Sequence, residues 1–323
     1  MKKNALVALC YMVMIGLSGC QQAEEIKSSN EELRMSIEAS IGKDGTVAGR
    51  TVMEDDGKSV SFANGDMIGL FVNTRNVVQW TYDGNAWGAN GDVYWDNKVD
   101  DHVFCAFYPY NDQATLDNVP MPDLTVQDGD IDDLKILDFL VAKKTQGYNG
   151  NGIVSFSGVN AFEHVFSLIA ITLQGEGDLV GSTIEEITIE GENIVTPYAY
   201  SFVSSQVVPV SDDGDNGVDE LEFMTNCTLG SEGYTFYFVV NTGASLKDVD
   251  LSIRYIKGEN EYVATLEGMN GDNIGKTFES GKRYSYSLKV KDGVLIISGN
   301  EIKKWEEGIT MDDIIINGNE VKS

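Results

Sequence analysis

Residues 249–255 read VDLSIRY and residues 284–290 read YSYSLKV, so that apolar and polar side chains alternate in both stretches. Successive side chains of a β-strand point to opposite faces, and this alternation therefore predicts strands with one buried face. The turn-forming pair Asp292-Gly293 leads into a second apolar run at residues 294–297, which predicts a β-hairpin. Because no long segment has helical periodicity, the sequence predicts an all-β fold.

The N-terminal half has the same period and many aromatic residues. Residues 35–41 read MSIEASI and predict a first strand whose inner face carries Met35, Ile37, Ala39 and Ile41. The aromatic residues that follow are Phe62, Phe71, Trp80, Tyr82, Trp87, Tyr94, Trp95, Phe104, Phe107, Tyr108 and Tyr110. Glycine turns separate them into short strands, which is typical of a β-sandwich or barrel. Such aromatic residues usually fill the core, and a glycan-stacking face is the alternative.

The length and a glycine-rich segment predict two domains. A chain of 323 residues is typical of two domains. The segment GEGD at residues 175–178 is the best candidate for a boundary, while residues 111–137 read as a long loop. We therefore predict an N-terminal β-sandwich at residues 34–176 and a C-terminal β-sandwich at residues 177–323.

The N-terminus has the pattern of an export signal. Lys2 and Lys3 precede a short apolar run, which ends in LSGC at residues 17–20. This tetrad resembles a bacterial lipobox, and the resemblance implies cleavage before Cys20 and attachment of a diacylglyceryl group to its thiol, as in palmitate-bearing lipoproteins. We predict a signal peptide at residues 1–19 and a flexible tether at residues 20–33. An ordinary signal peptide that happens to contain a cysteine is the alternative.

The composition is strongly acidic. Lys and Arg number 23 against 51 Asp and Glu, which gives a formal net charge of −28. Such a chain repels phosphate backbones, so we predict that nucleic acid is not a partner. Cys105 and Cys227 would be the thiols left after lipidation of Cys20. An oxidising location permits a disulfide between them, but we favour two buried free thiols.

No motif predicts catalysis. His102 and His164 are far apart and have no metal-ligand spacing, and the Gly-x-Ser-x-Gly and Gly-Lys-Ser motifs are missing from the sequence. Asp128, Asp130 and Asp132 have the first half of a calcium-loop spacing, but the glycine and glutamate that should follow are missing. We therefore predict no catalytic residue, no cofactor and no metal ligand. An enzyme acting on surface polysaccharide is the least favoured alternative.

Several stretches together, in their order along the chain, resemble the fimbrillin family, the pilins and pilus-associated lipoproteins of Gram-negative anaerobes that build type V pili. The matching stretches are residues 64–71 (NGDMIGLF), 93–95 (VYW), 104–110 (FCAFYPY), 138–142 (DFLVA), 162–167 (FEHVFS), 278–286 (FESGKRYSY), Ile302 and 305–308 (WEEG). They span nearly all of the chain after Cys20.

This resemblance implies two tandem transthyretin-like β-sandwiches and a strand exchange. A lipidated precursor would reach the cell outer membrane, where an arginine-specific protease would cut between Arg50 and Thr51 and release the first strand. The empty groove would then accept a donor strand from another pilus subunit. The implied partners are other pilus subunits, the outer membrane through the lipid anchor, and host or bacterial surface ligands. An uncut edge strand, with Arg50 in an ordinary loop, is the alternative.

The apolar alternation of the C-terminal tail departs from that of an ideal donor strand. Residues 309–316 read ITMDDIII, and Asp313 breaks the alternation that begins at Ile309 and Met311. We therefore expect a tip, accessory or anchor subunit rather than a major stalk subunit. The runner-up function is a monomeric surface lipoprotein that binds glycans.

Overall fold

The computed structural model of the protein describes residues 33–42, 61–175, 179–210, 218–269, 277–291 and 294–305. Cys20, Arg50 and Thr51, which the sequence singles out, lie outside these residues. So do the predicted signal peptide, nearly all of the predicted tether and the tail from residue 306. Within the described residues the fold is almost entirely β-structure, with a single four-residue α-helix, so the prediction of an all-β class is confirmed.

The N-terminal half forms a six-stranded antiparallel sheet and a separate pair of strands. Its elements are β1 (Ser36–Ala39), β2 (Met67–Val72), β3 (Val78–Tyr82), β4 (Trp87–Ala89), β5 (Asp101–Tyr108), β6 (Val119–Pro120), α1 (Leu134–Leu137), β7 (Leu140–Gly147), β8 (Ile153–Phe156) and β9 (Glu163–His164). The sheet has the order β4-β3-β2-β5-β7-β9. β1 is not part of it and pairs with β8 in parallel.

The C-terminal half forms an eight-stranded sheet of order β14-β11-β16-β17-β19-β18-β10-β15. Its elements and those of a small third sheet are β10 (Ser167–Leu173), β11 (Thr183–Glu192), β12 (Tyr198–Ser201), β13 (Gln206–Pro209), β14 (Val218–Thr228), β15 (Tyr234–Val240), β16 (Asp250–Lys257), β17 (Asn260–Leu266), β18 (Lys282–Lys291) and β19 (Val294–Lys304). β18 and β19 pair antiparallel, which confirms the predicted hairpin. β13, β12 and β6 form the third sheet.

The chain passes from the first large sheet to the second between β9 and β10. β10 lies between β15 and β18 and is buried along nearly its whole length. This change of sheet occurs about ten residues before the predicted boundary between residues 176 and 177, which stays a prediction, as does the transthyretin-like character of the two halves. Residues 111–137, predicted as a loop, contain β6, α1 and two short 3-10 helices.

Two apolar clusters form the core, one on each face of the N-terminal sheet. One face packs on β1 and β8. The opposite face carries Phe71 and belongs to the larger apolar cluster, which also contains the core of the C-terminal half. The ring centroids of Phe71 and Phe202 are 6.2 Å apart. Lys143 on β7 also donates a hydrogen bond of 2.7 Å to the carbonyl oxygen of Phe202. The β12–β13 turn therefore ties the two halves of the chain together.

Most of the aromatic residues predicted to fill the core do so. Phe62, Phe71, Trp80, Trp87, Trp95, Phe104, Phe107 and Tyr108 are buried, while Tyr82, Tyr94 and Tyr110 are partly exposed. Both thiols are unpaired. Cys105 is buried, and burial raises the pKa of its thiol to about 11. Cys227 is only partly buried, contrary to our expectation, because β14 is an edge strand with one open side.

Candidate functional site

The first strand lies in a groove between two segments of the N-terminal half. On one side, β1 pairs in parallel with β8, so that Ile37 is opposite Val154 and Glu38 is opposite Ser155. On the other side, the amide of Met35 donates to the carbonyl oxygen of Val93, at 2.8 Å. The strand therefore has hydrogen-bond partners along both edges. We call this channel the β1 groove.

The side chains of the first strand complete the N-terminal core. Met35, Ile37 and Ile41 are 4%, 5% and 7% exposed and belong to the same apolar cluster as Trp95 and Phe162. Full burial of an aliphatic side chain contributes about 1.5–3 kcal/mol. Loss of the strand would therefore leave three empty apolar positions as well as unpaired backbone groups along β8.

The floor of the β1 groove depends on a glycine. Gly152 has a φ of +74°, and its carbonyl oxygen accepts hydrogen bonds from the indole Nε1 of Trp95 (3.0 Å) and from the amide of Ser36 (3.1 Å). A Cβ atom at this position would lie 2.5 Å from the carbonyl oxygen of Arg34. Only glycine permits both the backbone conformation and this close approach.

The predicted alternation fails at the end of the first strand. Ala39 is only partly buried, whereas Ser40 and Ile41 are both buried. The amide of Ser40 donates to the carbonyl oxygen of Phe156 and its carbonyl oxygen accepts from the amide of Phe162, each at 2.9 Å. Its Oγ, in contrast, has no hydrogen-bond partner among the described residues. Ala39 nevertheless packs against the apolar cluster of Met35, Ile37 and Ile41, as predicted. The departure from alternation is at Ser40, because the chain is enclosed on both sides from residue 40 onward.

The exit of the β1 groove lies beside the end of the last described strand. Gly42 lines a cavity of about 270 Å³ together with His164, Lys282 and Lys304. The imidazole of His164 lies parallel to the indole of Trp305, with centroids 4.5 Å apart, and its Nδ1 is 2.8 Å from Oδ1 of Asp138. The first strand thus ends, and the tail after Trp305 begins, at the same end of the molecule.

The sequence-predicted processing residues belong to the segment that leaves this exit. Arg50 and Thr51 lie between Gly42 and Ser61, outside the described residues, and Cys20 precedes the first described residue, Leu33. Sequence reasoning identified the strand that fills the groove. It did not identify Gly152 or Phe162 as residues that shape the groove. Gly152 lies in a glycine-rich turn, and Phe162 was noted only as the first residue of the stretch 162–167.

The acidic stretch around Asp130 forms local turns. The Asp130 carboxylate accepts a hydrogen bond of 3.0 Å from the amide of Asp132, and Asp133 accepts one of 2.7 Å from the amide of Asp128. The described residues contain no group of three or more His, Cys, Asp and Glu placed to hold a metal ion. In the same part of the chain, no helix combines the length and the apolarity needed to span a membrane.

Comparisons with known proteins agree with the fold. A profile of the fimbrillin-like family matches residues 50–305. A Bacteroides ovatus protein assigned as fimbrium tip subunit Fim1C is 29% identical over 189 residues, which are 52% of this chain and 34% of the relative. The match thus spans about a third of the length of that curated relative.

Two solved structures share the fold across most of the chain. A protein of Bacteroides uniformis assigned to cell adhesion has a TM-score of 0.58 at 18% identity, covering 84% of this chain and 99% of its own. A fimbrial protein of Bacteroides vulgatus has a TM-score of 0.53 at 14% identity, with 84% and 99% coverage.

Proposed function

The chain belongs to the fimbrillin-like family, and we propose that it is a surface lipoprotein that serves as a subunit of an adhesive pilus. The precursor is anchored in the outer membrane through a lipid on Cys20. Proteolysis between Arg50 and Thr51 releases the first strand, and a strand from another subunit takes its place. The protein acts by assembly and adhesion, and no catalytic step is part of its function.

One observation carries this proposal: the first strand lies in a groove, and it can leave that groove without displacing the other strands of the core. β1 is at the N-terminal end of the described chain and has only four residues, and the segment that follows it contains Arg50. An extended peptide that adds to exposed strand edges gains main-chain hydrogen bonds, and apolar pockets select its alternate side chains. The β1 groove offers both features.

A place at the tip, at the anchor or in an accessory position fits the comparisons better than a stalk. The Bacteroides ovatus relative is assigned as a tip subunit. The glycan-binding alternative is weakened by the burial of most aromatic rings in the N-terminal half, because stacking on a sugar requires an exposed ring face.

The Arg50→Lys variant tests the proposal in the native cell. A protease specific for arginine should leave this variant uncut, so we expect a lipid-anchored protein that enters no SDS-resistant multimers. Arg34→Lys is the matched control, since Arg34 is an exposed arginine of the same region, and it should assemble as the wild type does. Wild-type amounts of multimers from Arg50→Lys would overturn the proposed processing.

A further inference from the structure

The turn at the floor of the β1 groove contains two Asn-Gly pairs in succession, at residues 149–150 and 151–152. Asparagine followed by glycine is the sequence most prone to deamidation, because glycine has no side chain to hinder attack of its nitrogen on the preceding amide. The described residues contain two further pairs, at residues 64–65 and 90–91. The hydrogen bonds of these pairs differ, and the differences single out Asn151-Gly152.

The attacking nitrogen is available at Gly152. Among the described residues, the amide of Gly152 donates no hydrogen bond. The amide of Gly65, in contrast, donates to the carbonyl oxygen of Tyr82 at 2.8 Å. That bond must break before the nitrogen of Gly65 can attack Asn64, which raises the barrier of the reaction.

The side chain of Asn151 is polarised for attack. Its Oδ1 accepts a hydrogen bond of 3.0 Å from the amide of Ile153. Negative charge develops on this oxygen when a nitrogen adds to Cγ, and an N–H group that already points at the oxygen stabilises that charge. Asn149 is bonded through its other atom, since its Nδ2 donates to the carbonyl oxygen of Ile153 at 2.9 Å. The side chain of Asn151 is exposed, so water reaches the reacting carbon.

We propose that Asn151-Gly152 is a site of spontaneous deamidation, and that its product weakens the hold of the β1 groove on the first strand. The Gly152 nitrogen bonds to Cγ of Asn151, the bond from Cγ to Nδ2 breaks, and ammonia leaves with the hydrogen of the glycine amide. Water then opens the cyclic imide at either of its carbonyls. One opening gives an aspartate at position 151, and the other gives an isoaspartate.

Isoaspartate displaces the floor of the groove, because it lengthens the main chain by one methylene directly before Gly152. The carbonyl oxygen of Gly152 accepts hydrogen bonds from the indole of Trp95 and the amide of Ser36. A Cβ atom at Gly152 would lie 2.5 Å from the carbonyl oxygen of Arg34, so there is no slack on that side. A shifted Gly152 therefore loses the bond to Ser36, whereas the bonds of Ser40 to Phe156 and Phe162 lie at the far end of the strand.

The reaction needs only water, so isoaspartate accumulates with the age of the molecule. In the proposed function, an older subunit would release its first strand more readily after cleavage at Arg50. This effect on strand exchange rests on the proposed function, but the deamidation and the loosening of the groove do not. The aspartate product should have little effect, because its carboxylate still accepts from the amide of Ile153.

Ageing of the full, uncut chain tests the site. The protein would be produced in a host without an arginine-specific protease, purified in a non-ionic detergent, and incubated at mildly alkaline pH and growth temperature. Mass spectrometry of its peptides then follows conversion at each Asn-Gly pair and distinguishes isoaspartate from aspartate. We expect Asn151 to convert at least about tenfold faster than Asn64 and Asn149. Conversion at Asn151 no faster than at Asn64 would overturn the proposal.

Hydrogen exchange tests the effect on the groove. In the isoaspartate-bearing fraction of the aged protein, we expect the Ser36 amide to exchange at least about tenfold faster than in fresh protein. The control is aged Asn151→Ser, which cannot form the imide but keeps a side-chain oxygen for the amide of Ile153, and it should stay protected. Fresh Asn151→Asp adds the charge without the methylene and should stay protected too.

Two outcomes of this comparison would overturn the inference. Unchanged exchange at Ser36 in the isoaspartate-bearing fraction would mean that the turn does not control the groove. Loss of protection in aged Asn151→Ser would mean that another change loosens the strand. Neither measurement requires cleavage at Arg50, so a failure of the proposed processing, seen from the N-terminal sequence, is distinguishable from a failure of this inference.

Discussion

Gly152 lies so close to Arg34 that a Cβ atom added to the glycine would be 2.5 Å from the arginine's carbonyl oxygen. This contact sets the distance between the first strand and the turn before β8. The position of the first strand thus depends on the absence of a side chain in a neighbouring loop.

The Gly152→Ala variant should loosen the first strand. Gly150 is a natural control, because it also has a positive φ, of +87°, but has open space around its Cβ position. We expect Gly150→Ala to lose about 1 kcal/mol of unfolding free energy from backbone strain, and Gly152→Ala to lose about 1–3 kcal/mol more from the clash. Hydrogen exchange of the amides at residues 36–42 should rise in Gly152→Ala alone. Equal protection in the two variants would contradict the contact.

The Ser40→Ala variant should hold the first strand more tightly. Removing a buried hydroxyl that lacks a hydrogen-bond partner should raise the free energy of unfolding by about 1 kcal/mol. The exposed Ser36 on the same strand provides the control, and Ser36→Ala should change stability by less than about 0.5 kcal/mol. Chemical denaturation measures both. A loss of stability in Ser40→Ala would show that the hydroxyl has a partner after all.

Loss of the Trp305 ring should destabilise the junction between the two halves of the chain. Its indole is 1% exposed and lies parallel to His164, so Trp305→Ala should cost about 3–5 kcal/mol. Val294→Ala, at an exposed position of the same strand β19, should be nearly neutral. Hydrogen exchange should rise in β9 of Trp305→Ala. Unchanged protection of β9 would mean that the stack contributes little to the junction.

The two described thiols should differ in reactivity. Burial raises the pKa of Cys105 to about 11, so at pH 8 only about one thiol in a thousand is a thiolate, and the side chain is also shielded. Burial raises the pKa of Cys227 too, but this residue is partly exposed. Iodoacetamide should therefore alkylate Cys227 first in the native chain from residue 21, and both thiols in denaturant. Equal native rates would contradict the burial of Cys105.

The sequence predicted the strands better than it predicted their partners. Alternation correctly identified residues 35–41, 249–255 and 284–290 as strand segments, because a half-buried strand has a local signature. The pairing of β1 with β8 has no such signature, since the register joins residues more than a hundred positions apart. The buried run of β10 gave no indication of which sheet it joins, because an apolar segment suits a central strand of either.

The irregular end of the first strand could not be predicted either. Ser40 is polar and reads as an outward residue, and it is buried only because Phe156 and Phe162 enclose the chain at that point.

The N-terminal sequence of the protein taken from the native cell surface tests the central claim most directly. Our account predicts a terminus at Thr51 in assembled material, because removal of the first strand is what opens the β1 groove to a neighbour. A blocked terminus at Cys20 in SDS-resistant multimers would contradict it, since the first strand would then still be part of every assembled subunit.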